Sequence, residues 1–380
     1  MVKKILVAFL SVALVLSGLY MVQKLVVPKY MDDVLEGAFT AEYYNETSDH
    51  QVIFIGDCEV YENFSPVEMW EKYGITSYIR GSAQQLIWQS YYLLEDALQY
   101  ETPEVVVYNV QSLTHNTPQK EEYNRMTIDG MKWSHYKVEC INASMLENEN
   151  YLDHVFPLLR YHSRITDLTK SDITYFNRKR KVTHNGYYMR VDVIPYDEEN
   201  ALEEDKPEDT RFGENALAYL DKIRMLCEEK GIQLLLIKAP SLSPVWFDEY
   251  EEQVETYAEQ YHLPYINYLE LVDEIKLDYS TDTYDGGLHM NLSGARKLSK
   301  HMGKYLTENF SLRDLRDDRQ YAEVWEEKVK FYNQMIEDQK KELETYGYLK
   351  SFGGEASKES ASVVPEDEEE LEEDMFAGFE

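Results

Sequence analysis

Short runs of apolar, mostly β-branched residues alternate along this chain with longer stretches in which apolar positions recur every three or four residues. VIFI at 52–55, TSYIRG at 76–81, VVVYNV at 105–110 and IQLLLIKAP at 232–240 predict strands, and LPYIN at 263–267 a shorter fifth. Helical spacing is found from about Val67, from about Ala83 to Tyr100, from about Glu214 to Lys230, over 247–260 and after Ser293. Strands that are apolar on both faces, separated by amphipathic helices, predict an α/β fold with a parallel sheet covered by helices on both sides.

Three stretches break the alternation. Residues 111–211 form an insertion, predicted to be helical first and irregular later, with strand signals only at TYFN and GYYMRVDV. It leaves the end of the third strand, and ligands of open parallel sheets bind beyond the carboxyl ends of strands, so it is placed to cover a site. A charged helical pattern over 315–348 follows the sheet domain. From 351 to 380 the chain turns to Ser and Glu, the composition of an acidic disordered tail. At the other end, MVKK precedes a charge-free apolar run from Ile5 to Val22, long enough to cross a bilayer. With no A-x-A cleavage signal, it predicts an uncleaved signal anchor and a single-pass protein of the cell membrane. Lys3 and Lys4 are matched by Lys24 and Lys29, so charge barely sets the orientation, and the bulk of the chain is placed on the extracellular side. The division expected is anchor 1–24, juxtamembrane stretch 25–48, α/β domain 49–310 with its insertion, helix 311–350 and tail 351–380.

A formal net charge of -33 repels phosphate backbones and excludes nucleic acid as a partner. Part of it is local, since residues 355–380 hold eleven acids and one lysine, but the body is acidic too. The cysteines at 58, 140 and 227 are too few and too widely spaced for a disulfide framework or a zinc site, although Cys140 and Cys227 are candidates to pair outside the cell. No phosphate loop, H-E-x-x-H or dinucleotide fingerprint occurs, so neither a metal nor a cofactor is implied. The tyrosines, 32 in all, invite a carbohydrate-stacking reading, but composition does not place them on one face.

Four stretches fall where one edge of the sheet would collect them. Gly56-Asp57-Cys58-Glu59 ends the first strand, Tyr78-Ile79-Arg80-Gly81-Ser82 the second and Tyr108-Asn109-Val110 the third, while DGGLHMNLSGA, 285–295, precedes the last helix of the sheet domain. Cys58 begins a stretch leading into a helix, where backbone amides and a neighbouring imidazole lower a thiol pKa; Asp57 and Glu59 would raise it if they pointed inward. A Cys/His pair needs a carboxylate to fix the imidazole tautomer and amide donors for the oxyanion of acyl transfer.

In these motifs and their order the chain resembles the SGNH, or GDSL-like, hydrolase superfamily, whose fold is flavodoxin-like, and within it the membrane-anchored branch with DltD-like and alginate-acetylation proteins. The resemblance spans roughly 50–308 and leaves the insertion unaccounted for. It implies Cys58 as nucleophile, Gly81 and Asn109 as oxyanion donors and His289 as base. Two departures stand out: the family's serine is a cysteine, and its Asp-x-x-His spacing puts the acid at Gly286, so the carboxylate is Asp285 or Asp282, with Asp285 preferred.

Each assignment has a plainer alternative. Cys58 is also a small core residue, and His289 a loop histidine beside Asn291 or Ser293, either of which can cap the next helix. Asn109 equally suits a strand-end backbone bond and Gly81 a tight turn. Lys238 reads as a substrate-binding lysine or a solvated strand end, and His162, in RYHSR at 160–164, as a substrate contact or part of a salt-bridge network. The expected function is a membrane-anchored O-acyltransferase or esterase acting on cell-envelope polysaccharide or another acyl acceptor. The resemblance also implies a multi-pass membrane acyltransferase partner. The alternative is a non-catalytic scaffold or glycan-binding protein of the same fold; a papain-like protease is disfavoured because its signatures are absent.

Overall fold

The structure is a computed structural model and describes residues 2–28, 38–174, 176, 181–198 and 205–352. Five parallel strands form one sheet: β1 Val52–Gly56, β2 Ser77–Gly81, β3 Val105–Asn109, β4 Gln233–Lys238 and β5 Tyr265–Asn267, in the order β2-β1-β3-β4-β5. Gly56 pairs with Gly81 and Asn109 with Ile237, so the ends of the central strands lie level along one edge. In this order the chain leaves β1 in one direction and returns to β3 in the other, which opens a crevice at their carboxyl ends.

Side chains alternate between two cores, as the pleat requires. Val52, Phe54, Val105, Val107, Leu235 and Ile237 face one side. That side is covered by helices α3 (Pro66–Tyr73), α7 (Leu292–Asn309) and α8 (Arg319–Tyr346), with Trp70 stacked on Trp325 at 5.1 Å between ring centres. Ile53, Ile55, Val106, Leu234 and Leu236 face α4 (Ile87–Ala97), α5 (Glu214–Lys230) and α6 (Asp248–Tyr261) on the other. Local signals set the boundaries: Ser65 caps α3 with Pro66 in its first turn, and Asn291 caps α7 by accepting from Ser293 N and Gly294 N.

The insertion begins with helices at Glu121–Ile128, His135–Ser144, Tyr151–Val155 and Pro157–Tyr161, and ends in extended backbone. The GYYMRVDV stretch forms no regular strand because its hydrogen bonds go to loops instead of a neighbouring strand. Tyr188 N donates to Tyr61 O at 2.8 Å, Ile194 N to Thr283 O at 3.1 Å and Tyr196 N to Tyr279 O at 2.9 Å, while Leu292 N donates to Arg190 O at 2.7 Å. Residues 188–196 therefore run across the edge where β1 and β2 end and brace the loop that carries Asp285 and His289. Two residues of TYFN, 175 and 177, and the acidic tail beyond 352 lie outside the described residues.

Helix α1 (Val2–Val26) is long and apolar enough to cross a membrane, and its apolar window is exposed throughout. Cys140 and Cys227 do not form a disulfide; both are free, buried thiols in the core beneath α4 and α5, pushed by burial to about 12.

Candidate active site

Chain geometry at the end of β1 fixes Cys58. Gly56 has φ +150°, and a Cβ there would fall 2.6 Å from Val60 Cγ2, so only glycine turns the chain so sharply into α2 (Cys58–Tyr61). Asp57 caps this one-turn helix by accepting from Glu59 N at 3.2 Å. At Gly81 the requirement is space: a Cβ would sit 3.0 Å from Gly56 O and 3.4 Å from Asp57 O. Gly81 thus lets β2 approach the turn that carries the thiol.

His289 arrives from the other end of the chain and is pinned beside that turn, since Met290 N donates to Asn63 Oδ1 at 2.8 Å, just past α2. Asp285 grips the histidine twice, its Oδ1 accepting from His289 N at 2.8 Å and its Oδ2 lying 2.6 Å from Nδ1. That contact assigns the Nδ1 proton to the side facing Asp285 and leaves the other nitrogen for the thiol. Asp282 does not face the ring: it is fully buried, accepts from Asp278 N at 2.8 Å and pairs with Lys297. Tyr284 lies nearly parallel to the imidazole at 6.1 Å between ring centres.

A second carboxylate, which the sequence reading did not single out, stands on the same nitrogen. Glu62 Oε2 is 3.7 Å from His289 Nδ1, and Glu62 is almost wholly buried. The signal was present in the sequence: Glu62 follows Cys58 by four residues, one helical turn, which puts both on one face.

These groups set each other's protonation. Burial raises the Cys58 thiol; the charge and hydrogen bonding of His289 pull it back, Asp57 and Glu62 push it up again, and the net direction is upward. Burial disfavours a charged His289, yet Glu62 and Asp285 overcome it and hold the imidazolium well above its ordinary range. Glu62 is raised to about 7, by burial first and by Asp285, while His289 works against the rise. Both shifts favour a thiol beside an imidazolium, and the loss of one proton from that pair leaves a single proton shared between sulfur and ring.

Two residues make contacts other than those expected of them. Asn109, expected to donate to an oxyanion, gives one amide hydrogen to Asp57 Oδ1 at 3.1 Å and the other to Glu59 Oε2 at 3.0 Å, and its oxygen accepts from Ala239 N at 3.0 Å. It braces the turn and has no hydrogen left to give. Lys238 is neither solvated nor open to substrate: it is fully buried, with Nζ 2.9 Å from both oxygens of Glu59 and from Ala239 O. Glu59 is accordingly drawn to Lys238, while Asp57, raised to about 7 by burial and by the Glu59 charge, remains beside the thiol. His162 is exposed on the insertion with Nδ1 2.8 Å from Leu159 O, and none of its described contacts reaches Cys58, Asp285 or His289. Its neighbours Arg160 and Arg164 pair with Glu121 and Asp172.

Among the described residues, no cluster of three or more His, Cys, Asp or Glu side chains is arranged to hold a metal ion. No family model matches the chain. No curated protein matches it either. Among solved structures it is similar to one described as "a putative acylhydrolase" from Bacteroides fragilis, at 11% identity and a TM-score of 0.35, over 74% of this chain and 99% of that one. At so low an identity and so loose a superposition, the site stands on its own geometry.

Proposed function

We propose that this protein is a membrane-anchored, SGNH-like acyl-group enzyme, an O-acyltransferase or esterase acting on cell-envelope polysaccharide from the outer side of the membrane. The observation that carries the reading is the convergence of Cys58 with the Asp285–His289 pair at the switch point of the sheet, on segments 227 residues apart in sequence that Asn63 and Met290 join.

In the assigned reaction the Cys58 thiolate attacks the carbonyl carbon of an acyl donor. The tetrahedral intermediate collapses to a thioester, and the departing oxygen takes a proton from His289. A sugar hydroxyl or water then gives its proton to His289 and attacks the thioester, which returns the thiolate. Asp285 fixes the tautomer that permits both transfers. Oxyanion stabilisation falls to backbone amides at Cys58 and Gly81, since Asn109 is committed elsewhere. A membrane-embedded acyltransferase partner would supply the acyl donor, in keeping with the family resemblance.

The test is the intact mass of the detergent-solubilised protein after exposure to an activated acetyl ester, taken from neutral to alkaline pH because the resting pair is protonated. The wild type should gain one acyl group and Cys58→Ala none. A wild type that stays unmodified across that range refutes the reading. The committed amide of Asn109 favours a second reading, a glycan-binding scaffold without turnover, and ester hydrolysis lost in a folded His289→Ala protein would exclude it.

A further inference from the structure

The insertion carries an apolar surface that the acyl-group reading does not use. Leu152, Phe156, Leu159, Ile165 and Ile173 are between 50% and 67% exposed, in a part of the chain otherwise rich in charge. The first three lie within eight residues of one another, Leu152 and Leu159 in the short helices Tyr151–Val155 and Pro157–Tyr161 and Phe156 at the non-helical junction between them. The same stretch is also held to the protein: Tyr161 is buried and donates to Asp129 at 2.6 Å, and Arg160 donates to Glu121 at 2.9 Å.

This surface lies against the end of the one described helix able to cross a membrane. The helices at Pro157–Tyr161 and Lys170–Thr174 and the turn at His162–Thr166 pack on α1. Arg164 Nη1 donates to Val26 O at 2.5 Å, which satisfies a carbonyl in the last turn of α1. Lys24 Nζ lies 5.0 Å from the centre of the Phe176 ring. Val26 is buried in this contact, whereas the apolar window of α1 is bare. If that window occupies hydrocarbon, whatever packs on Val26 is held at the depth of the lipid headgroups.

We propose that residues 151–173 form an interfacial platform that lies on the bilayer entered by α1, with Leu152, Phe156 and Leu159 inserted among the lipids and Ile165 and Ile173 at their flank. A contiguous apolar surface held at the interface by its own scaffold is what a monotopic contact requires, and it stands whether or not Cys58 turns over. The platform also fixes how the protein sits. Thr127, in the insertion, bonds Ser82 at the end of β2 at 2.5 Å, so the insertion is tied to the same sheet edge as the candidate site. That edge is then held near the membrane surface.

The full chain, reconstituted in vesicles of phosphatidylcholine and phosphatidylglycerol carrying a photoactivatable carbene lipid, tests this by peptide mapping after illumination. Label is expected on α1 and on peptides spanning 151–173. Phe156→Glu combined with Leu159→Glu should lower the second signal several-fold and leave α1 labelled as before. Label confined to α1 in the wild type would overturn the proposal and leave the surface to a protein partner. Label on 151–173 that the double substitution does not reduce would also overturn it, because the contact would then not run through these side chains.

Discussion

Replacing Glu62 with glutamine keeps the shape of the site and removes one negative charge from beside the imidazole. Glu62 Oε2 stands 3.7 Å from His289 Nδ1, and an effective dielectric constant of about 20 gives roughly 4.5 kcal/mol for two full charges, or about 3 pKa units. The carboxyl itself is raised to about 7, so its charge is in place across an alkaline limb; the Coulomb figure is an upper bound because the site relaxes when the charge is removed, and a measured shift of about 1–2 units is expected. The sign follows from both partners: with the charge gone, the imidazolium loses a stabilising neighbour and the thiolate loses a repelling one, so both pKa values fall. The pH dependence of Cys58 acylation by an activated ester, followed by intact mass, reads this directly. In the wild type the rate should climb through an alkaline limb; in Glu62→Gln the same limb should lie about 1–2 units lower, with the plateau little changed. A limb that stays in place, or moves to higher pH, would show that Glu62 does not act on this pair.

Asp285→Asn should reduce acylation about 10²–10⁴-fold, because the amide no longer fixes the imidazole tautomer, while the melting temperature changes little. Lys238→Met should destabilise the protein by about 3–5 kcal/mol by stranding Glu59 in the core, and Lys238→Met with Glu59→Gln should regain most of that in denaturant unfolding; equal losses in the two variants would refute the pairing. Stability should also vary with pH on both sides. Burial works against the Glu46 charge, but His50 and Lys328 hold the group at about 2, so its stabilisation is complete above about 4.5 and is lost as pH falls through 2. Glu46→Gln should flatten that acid limb and cost about 2–3 kcal/mol at neutral pH. Glu42 runs the other way: burial raises it to about 7, so its contribution is full below about 4.5 and is lost as pH rises through 7, and the melting temperature should decline from mildly acidic to mildly alkaline solution.

Local chemistry along the chain was enough to determine the main elements of the sheet domain, though not the extended end of the insertion. The runs at 52, 105 and 233 are apolar on both faces, which only a sheet covered on two sides can bury, and each became a parallel strand. The spacing at 214–230 became α5 with those same ends, and Asn291, one of two cap candidates, caps α7. The Gly-Asp-Cys turn was legible for the same reason, because a glycine after an apolar run marks a backbone that no other residue can follow.

The tertiary structure decided what each polar group faces. Whether Asp282 or Asp285 meets His289 depends on the fold of a short loop, and Lys297 takes the first while the imidazole takes the second. Asn109 and Lys238 end neighbouring strands, and nothing in their local sequence shows that Glu59 lies between them and takes a hydrogen bond from each. Glu62 sits one turn from Cys58 in sequence, but it becomes a neighbour of the imidazole only because Asn63 holds Met290 from the far end of the chain. Patterns of burial are local and can be read along a chain, whereas the protonation of a buried site depends on charges brought together by contacts distant in sequence.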